Sequence, residues 1–523
     1  MTPLLAAMVA ERPEGVAVVD DRGSTSWSEL DERVRRWCGA LRRHGLGEGD
    51  CVVAMLGNQV ELVELSLACL QGGWLLVPLN WHWVADEVRY VLADAGAAAV
   101  VVDTRWRGVV AEALELPGAP EVPLQVVVGA TEDLGAMSSL EELLGSGPGE
   151  ELVDPSRGGP MFYTSGTTGR PKGVRGSLAQ VGGPPEIWTL MAHSFRPVLQ
   201  LPEDGDAVQG ICGPMYHSAQ WVISMFALLC GATVVLQHRF DPDALLELID
   251  RQGVTHLHLV PTQMSRLLRL PQQRRDAFDG ATLQAVLHGA APCPPSVKRS
   301  MIEWWGPIVT EYYGGTEGGF ISTISSQEWL DRPGSVGRPL EVIEVVVVDP
   351  DGRPVPAGVA GDLYFRSLLG SSFEYHNAPA KTEAAHLAPG LATLGDIGFL
   401  DDDGYLFLSD RRIDMVVSGG VNIYPAEIEA VLVGAAPVVD AAVFGVPDDD
   451  MGEAVRAALV LGDGVEWNAA TEDLVVTHCR AQLAGYKCPR SFEVHDELPR
   501  SDAGKLLKRS LRDPWWAGQD RSI

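Results

Sequence analysis

The segment Tyr163-Thr164-Ser165-Gly166-Thr167-Thr168-Gly169-Arg170-Pro171-Lys172-Gly173 packs four Ser/Thr hydroxyls, three glycines and a lysine into eleven positions. Glycines let backbone N–H groups come close to an anion. Hydroxyls donate to phosphate oxygens, and the lysine adds charge. The segment follows Pro160–Phe162, which reads as a strand end. It is not a Walker A loop, because Gly169 and Lys172 are not adjacent and the chain contains no Gly-Lys-[Ser/Thr]. A run of this composition is otherwise a flexible linker, but Pro171, Lys172 and the preceding strand argue against that. Lysine is scarce in this chain. The six are Lys172, Lys298, Lys381, Lys487, Lys505 and Lys508, against 34 arginines. Lys172 and Lys505 fall inside motifs, whereas Lys298 and Lys508 read as compositional remnants.

Further motifs follow in order. They are Gly213-Pro214-Met215-Tyr216-His217-Ser218-Ala219, His288-Gly289-Ala290-Ala291-Pro292, Tyr312-Tyr313-Gly314-Gly315-Thr316-Glu317 and Thr393-Leu394-Gly395-Asp396. Two more come later, the stretch from Asp410 to Glu429 that includes Arg411 and Ser418-Gly419-Gly420, and Leu498-Pro499-Arg500-Ser501-Asp502-Ala503-Gly504-Lys505. Together with the first segment they make seven ordered matches across essentially the whole chain. The sequence therefore resembles the adenylate-forming superfamily, and within it acyl-CoA synthetases of the fatty acyl-CoA and 4-coumarate-CoA ligase kind.

The resemblance implies a role for each matching residue. Thr164, Ser165, Gly166, Thr167, Thr168 and Lys172 would cradle the β- and γ-phosphates of ATP. Gly289, Ala290 and Ala291 would run along the adenine, with Tyr313 stacked on it and Gly314 beside it. Thr316 would donate to phosphate. Glu317, with Thr167, would hold Mg²⁺, a hard cation that prefers oxygen ligands. Asp396 would accept both ribose hydroxyls and Arg411 would donate to the same ribose. His217 would gate the acyl pocket, which Trp221, Gly289, Gly314 and Gly315 would line. Lys505 would be catalytic, stabilising charge as the carboxylate attacks the α-phosphate. Ser418, Gly419 and Gly420 would line the pantetheine tunnel of CoA. Lys487 would meet a CoA phosphate or be a plain surface charge. His256 and His258 alternate along a strand and read as structural.

The implied reaction joins a carboxylic acid to CoA in two steps. ATP gives an acyl-adenylate and pyrophosphate, then a thiol displaces AMP. The acid is expected to be bulky and hydrophobic, medium-chain fatty or polycyclic. Trp188, Met191, Phe195, Leu199 and Trp221 would either line a wide apolar pocket or form core, and Gly318 and Gly319 would leave further space. Two other readings stay open. One is an adenylating enzyme that hands its intermediate to another acceptor. The other is a non-catalytic nucleotide-binding protein on the same fold, although Lys172, Glu317 and Lys505 are all present.

These residues need a framework to hold them. The first 150 residues alternate strand-like and helix-like segments: strand Cys51–Leu56, helix Val60–Gln71, the apolar Trp74–Pro78 and strand Ala97–Val102. The pattern returns with helix Ala219–Cys230, strand Ala232–Gln237, helix Pro242–Gln252 and strand Thr255–Val260. Alternation of this kind implies βαβ units and parallel sheets. Glu341–Val348 and Gly361–Arg366, around the turn Asp349-Pro350-Asp351-Gly352, read instead as antiparallel strands. The expected fold class is α/β. A large N-terminal domain (1–410) would hold two open α/β layers and an antiparallel β subdomain. A small mobile α+β C-terminal domain (411–523) would follow a hinge at Arg412–Ile413. Many members of the superfamily carry Asp or Lys at the second hinge position, where this chain has isoleucine.

Composition sets the outer bounds. The chain has 523 residues, is 46% hydrophobic and 21% charged, and carries a net charge of −30. That is globular composition, and the charge disfavours nucleic acid and anionic membranes as partners. Eight cysteines without CxxC or zinc spacing read as reduced thiols in a cytoplasmic protein. The N-terminus lacks the features of a signal peptide. The apolar stretch Trp221–Leu236 is short for a membrane span and is split by Gly231. The expected ligands are ATP, Mg²⁺, CoA and a small carboxylic acid, with a homodimer left open.

Overall fold

The computed structural model describes residues 2–129, 132, 134–145, 152–164, 170–411, 414–418, 421–448, 451–501 and 504–517. Ser165, Gly166, Thr167, Thr168, the hinge pair Arg412–Ile413 and the glycines Gly419 and Gly420 lie outside the described residues.

Two parallel sheets carry the first part of the chain. In the first, Ser138–Ser139, Leu124–Val128, Ala97–Asp103, Cys51–Met55, Leu75–Pro78 and Gly159–Pro160 run in that spatial order, all parallel. Its central strand, Cys51–Met55, is buried along its whole length. That is why the sequence there is a continuous apolar run rather than an alternating one. The helix Val60–Gly72 is buried over nearly all of its length and ends at Gly73, whose φ is +84°. The left-handed conformation of this end is why a glycine stops the helix.

The second sheet opens on an antiparallel edge strand, Gly23–Ser26 against Val16–Asp20, runs parallel, and then turns antiparallel. Strands Val16–Asp20, Thr233–Leu236, Val208–Ile211, His256–Leu259, Ala285–His288 and Val309–Gly315 are parallel neighbours in that order. Antiparallel strands Gly319–Ile324, Ser335–Pro339, Leu406–Arg411, Asp396–Leu400 and Gly361–Ser367 continue it. The expected strand pair around the turn at 349–352 is present as Ile343–Val348 against Gly361–Ser367, with Val345 opposite Phe365. A smaller sheet holds Val416–Ser418, Val421–Ile423, Val438–Asp448, Gly452–Leu461 and Ser491–Val494. It is backed by helices Pro425–Val433 and Ala469–Gln482, which bury Ile428, Leu432, Val475 and Cys479 against it.

The apolar stretch from Trp221 is the helix Ser218–Leu229, a turn at Gly231 with φ +90°, and the strand Thr233–Leu236. No helix among the described residues is long and apolar enough to cross a membrane. All eight cysteines are unpaired.

Two lysines read as compositional remnants have definite places. Lys298 is completely buried, its Nζ 2.6 Å from Glu311 Oε2 and 5.0 Å from the centre of the Trp329 ring. Lys508 is nearly buried and lies 2.8 Å from Glu429. Composition alone cannot distinguish a stray charge from one half of a buried ion pair.

Candidate active site

The candidate residues converge because four neighbouring parallel strands end on one edge. Val208–Ile211 leads into Gly213–His217, His256–Leu259 into Pro261, Ala285–His288 into Gly289–Ala291, and Val309–Gly315 into Thr316 and Glu317. Open α/β sheets bind ligands outside the carboxyl ends of their strands. His217 is the residue from which the helix Ser218–Leu229 starts, and the Oγ of Ser218 is 2.8 Å from Thr316 Oγ1. That contact ties the histidine motif to the phosphate motif.

Two glycines are demanded by close backbone approach. A Cβ on Gly289 would lie 2.6 Å from the Tyr312 carbonyl oxygen. A Cβ on Gly314 would collide with the carbonyl of Gly319. The next residue after Gly289, Ala290, has φ +66° and is exposed. The strand end therefore presents bare backbone edges, which suits a flat aromatic ligand.

The described residues on either side of the phosphate segment belong to two paired strands. Phe162–Thr164 pairs antiparallel with Lys172–Arg175, placing Thr164 directly opposite Lys172. On the far side of that strand, Glu374–Tyr375 pairs with Val174 and Arg175. Tyr375 was not legible as a site residue, yet it joins two of them. Its ring lies 4.9 Å below the Lys172 ammonium, and its hydroxyl donates to Glu317 Oε1 at 3.0 Å. Burial lowers the Lys172 pKa, with repulsion from Lys381 in the same direction and attraction from Glu317 opposing it. Lys381, also missed, thus adds a second cation beside the strand pair. The scarcity of lysine was the available signal for it.

Asp396 and Arg411 are register partners on antiparallel strands. Asp396 is almost wholly buried and accepts a 2.7 Å hydrogen bond from the Tyr313 hydroxyl. One tyrosine therefore links the segment expected at the base to the carboxylate expected at the ribose. Charge-assisted hydrogen bonds contribute about 1.5–3 kcal/mol each. Asp396→Asn should accordingly raise the KM for ATP by about 10- to 150-fold, read by steady-state kinetics over ATP concentration.

Other expected residues stand apart from this cluster. Trp221 is fully buried, donates its indole N–H to Ser66 Oγ at 2.9 Å, and packs edge-on against Phe162 and Trp188. Ser418 is buried in the small sheet, opposite Gly452. Lys487 holds the Glu427 carboxylate at 2.7 Å. Lys505 sits on a turn in which the Gly504 N–H donates to the Ser501 carbonyl at 2.7 Å. That turn touches the large sheet's edge through Thr262.

Beneath the site lie two buried histidines. His258 Nε2 is 3.2 Å from the Tyr312 hydroxyl, and burial pushes its pKa down to about 3. His288 is pushed down too, by burial first and by Lys298 and His258 after that. An unfolded histidine titrates near 6.5, so between about pH 3 and 6.5 the unfolded state binds the extra proton. Stability should fall as pH drops below about 6.5, approaching ~1.4 kcal/mol per pH unit for His258. Urea midpoints from pH 5 to 8 check this, and His258→Gln should flatten the slope.

The edge of parallel strands, the strand pair that sets Thr164 opposite Lys172, and the Tyr313–Asp396 pair are the framework of an adenylate-forming enzyme. The chain belongs to the AMP-binding enzyme family, whose profile matches residues 5–370, with the AMP-binding enzyme C-terminal domain matching 427–505. Among similar proteins is a fatty acid–[acyl-carrier-protein] ligase, ScoC, of Streptomyces coeruleorubidus. It is 31% identical over 98% of this chain and 95% of its own length. A feruloyl-CoA synthase of an Amycolatopsis species is 32% identical over 96% of each chain. The ATP-bound structure of MatB from Rhodopseudomonas palustris superposes with a TM-score of 0.84 at 29% identity, covering 98% of each chain.

Proposed function

We propose that the protein is an ATP-dependent carboxylic acid:CoA ligase that forms AMP. The observation that carries this reading is the continuous chain of contacts from Lys172 through Tyr375 to Glu317. Beside it, the motif Tyr313–Glu317 ties Asp396 at one end to Ser218, next to His217, at the other. A carboxylate oxygen attacks the α-phosphorus of ATP, the bond from that phosphorus to the bridging oxygen breaks, and pyrophosphate leaves. The CoA sulfur then attacks the acyl carbon, the carbon–oxygen bond to AMP breaks, and the thiol proton passes to solvent.

In this reading Thr164 and Lys172, with Ser165 to Thr168, hold the outgoing phosphates. Tyr313 stacks on adenine along Gly289–Ala291, and Asp396 with Arg411 holds the ribose. His217 opens and closes the acyl side. Glu317 offers carboxylate oxygen beside the hydroxyls of Thr316 and Tyr375, a donor set that suits a hard cation. Mg²⁺ bound there with the nucleotide would neutralise phosphate charge. Lys505 stabilises the charge that builds during transfer. The small unit from residue 411 onward carries Lys505, with Ser418, Gly419, Gly420 and Lys487 serving CoA. The Lys487–Glu427 pair would have to open for that.

The acid is apolar and bulky. Trp188, Trp221, Phe226 and Tyr312 are packed core, and the partly buried Met191 and Phe195 against that core are the apolar side chains left for it. The relatives' names, a fatty acid ligase and a feruloyl-CoA synthase, point the same way. The former also favours a second reading, in which the acyl group passes to a carrier-protein thiol. A panel of fatty, aromatic and polycyclic acids, with ATP and Mg²⁺, tests both. Pyrophosphate release with an acyl-CoA product supports the ligase. Release with acyl transfer only to a carrier protein supports the second reading, and no release with any acid contradicts both.

A further inference from the structure

We propose that Thr262 is a positioning residue for Lys505, acting through the carbonyl of Gly504. The inference rests on the reading of Lys505 as the group that serves acyl-adenylate formation. Thr262 is the second residue of the helix Pro261–Leu268, which begins where the strand His256–Leu259 ends. It therefore stands on the same edge as Gly289, Gly314 and His217. Its hydroxyl donates to the Gly504 carbonyl at 2.9 Å. That carbonyl also accepts from Arg500 Nη1 at 2.9 Å, and Arg500 Nη2 lies 2.9 Å from each oxygen of Asp440. One oxygen thus receives a donor from the large sheet's edge and a donor from the small unit.

The turn itself is tightly built. The Ser501 N–H donates to the Lys505 carbonyl at 2.8 Å, and the Lys505 N–H donates to Ser501 Oγ at 3.2 Å. Gly504 has φ +74°, and a Cβ there would lie 2.8 Å from Thr262 Oγ1 and 3.2 Å from Val260 Cγ2. The lysine is thereby fixed to its turn, and the contact at Thr262 fixes the turn against the nucleotide-side edge. Arg266 and Arg269 follow on the same helix face. The first reaches Glu497 Oε1 at 3.1 Å and the second donates to the Val439 carbonyl at 3.3 Å. The exposed Arg266–Glu497 pair contributes little. Thr262 stands out because it touches the residue adjacent to Lys505 and is partly shielded from water.

The test compares Thr262→Val, which keeps the branched shape, with Thr262→Ser, which keeps the hydroxyl. Octanoate and ferulate serve as acids, with pyrophosphate release without CoA reporting adenylate formation. Synthetic octanoyl- and feruloyl-adenylate with CoA report the second step. Thr262→Val should lower the kcat of adenylate formation by about 10- to 100-fold, leaving the KM for ATP within about twofold. The second step should stay within about twofold of wild type, and Thr262→Ser should restore the first. A wild-type rate in Thr262→Val, or an equal loss in both steps, overturns the proposal. Amide hydrogen exchange over 504–507 needs no acid and should quicken in Thr262→Val. If wild type activates neither acid, that exchange alone decides: unchanged protection overturns the role of Thr262, whatever the enzyme's substrate.

Discussion

Replacing Lys505 with alanine lowers the rate of acyl-adenylate formation by about 10²- to 10³-fold, the usual loss when one preorganised charge-stabilising donor is removed. ATP still binds, because the residues proposed to hold it, Lys172, Tyr313 and Asp396, belong to other elements. In the proposed role the lysine acts on charge that develops during transfer rather than on charge already present in ATP, so the loss falls on kcat. Thioester formation from a synthetic adenylate is much less affected, because that step starts after pyrophosphate has gone. Rapid-quench measurement of adenylate, with ATP affinity measured by calorimetry on the same variant, checks both halves. A Lys505→Ala enzyme with the wild-type rate would remove the lysine from the chemistry.

The second large effect is on stability. Lys298→Met leaves the Glu311 carboxylate buried without its 2.6 Å partner. Burial already pushes the Glu311 pKa up, and Lys298 is what opposes that shift. Breaking a buried ion pair from one side costs about 3–5 kcal/mol, whereas replacing both partners with apolar groups is often close to neutral. Lys298→Met should therefore lower the urea midpoint sharply, and Lys298→Met combined with Glu311→Leu should recover most of the loss. His288 lies 3.8 Å from Glu311 and directly precedes Gly289. The single variant should consequently also weaken ATP binding. A midpoint unchanged by Lys298→Met would mean that the pair contributes nothing to folding.

Much of this architecture was legible in the sequence. Central strands of parallel sheets are apolar throughout, so Cys51–Met55 and Ala97–Asp103 stood out with boundaries within a residue or two. The antiparallel pair Ile343–Val348 and Gly361–Ser367 was announced by its turn residues, although the sheet already turns antiparallel at Gly319–Ile324. The segments at 163–173, 213–219 and 288–317 were visible because tight backbone approach and charge demand particular residue types at particular spacings. Contacts across long sequence separations were not visible. Nothing local to Tyr375 indicates that it sits between Lys172 and Glu317, and nothing local to Thr262 points to Gly504. The burial of Lys298 depends on a strand thirteen residues on, and so escaped a reading based on composition. Aromatic residues were equally ambiguous, because Trp221 in a core and Trp221 beside an acyl group have the same sequence signature.

The most direct test of the central claim follows oxygen. The acid that the panel turns over fastest, labelled with ¹⁸O in its carboxylate, is incubated with ATP, Mg²⁺ and CoA, and the products are weighed by mass spectrometry. Attack of the carboxylate on the α-phosphorus predicts one ¹⁸O in AMP and none in pyrophosphate, with acyl-CoA formed in equal amount. Label in inorganic phosphate with ADP as the nucleotide product, or AMP without label, would contradict an acyl-adenylate route.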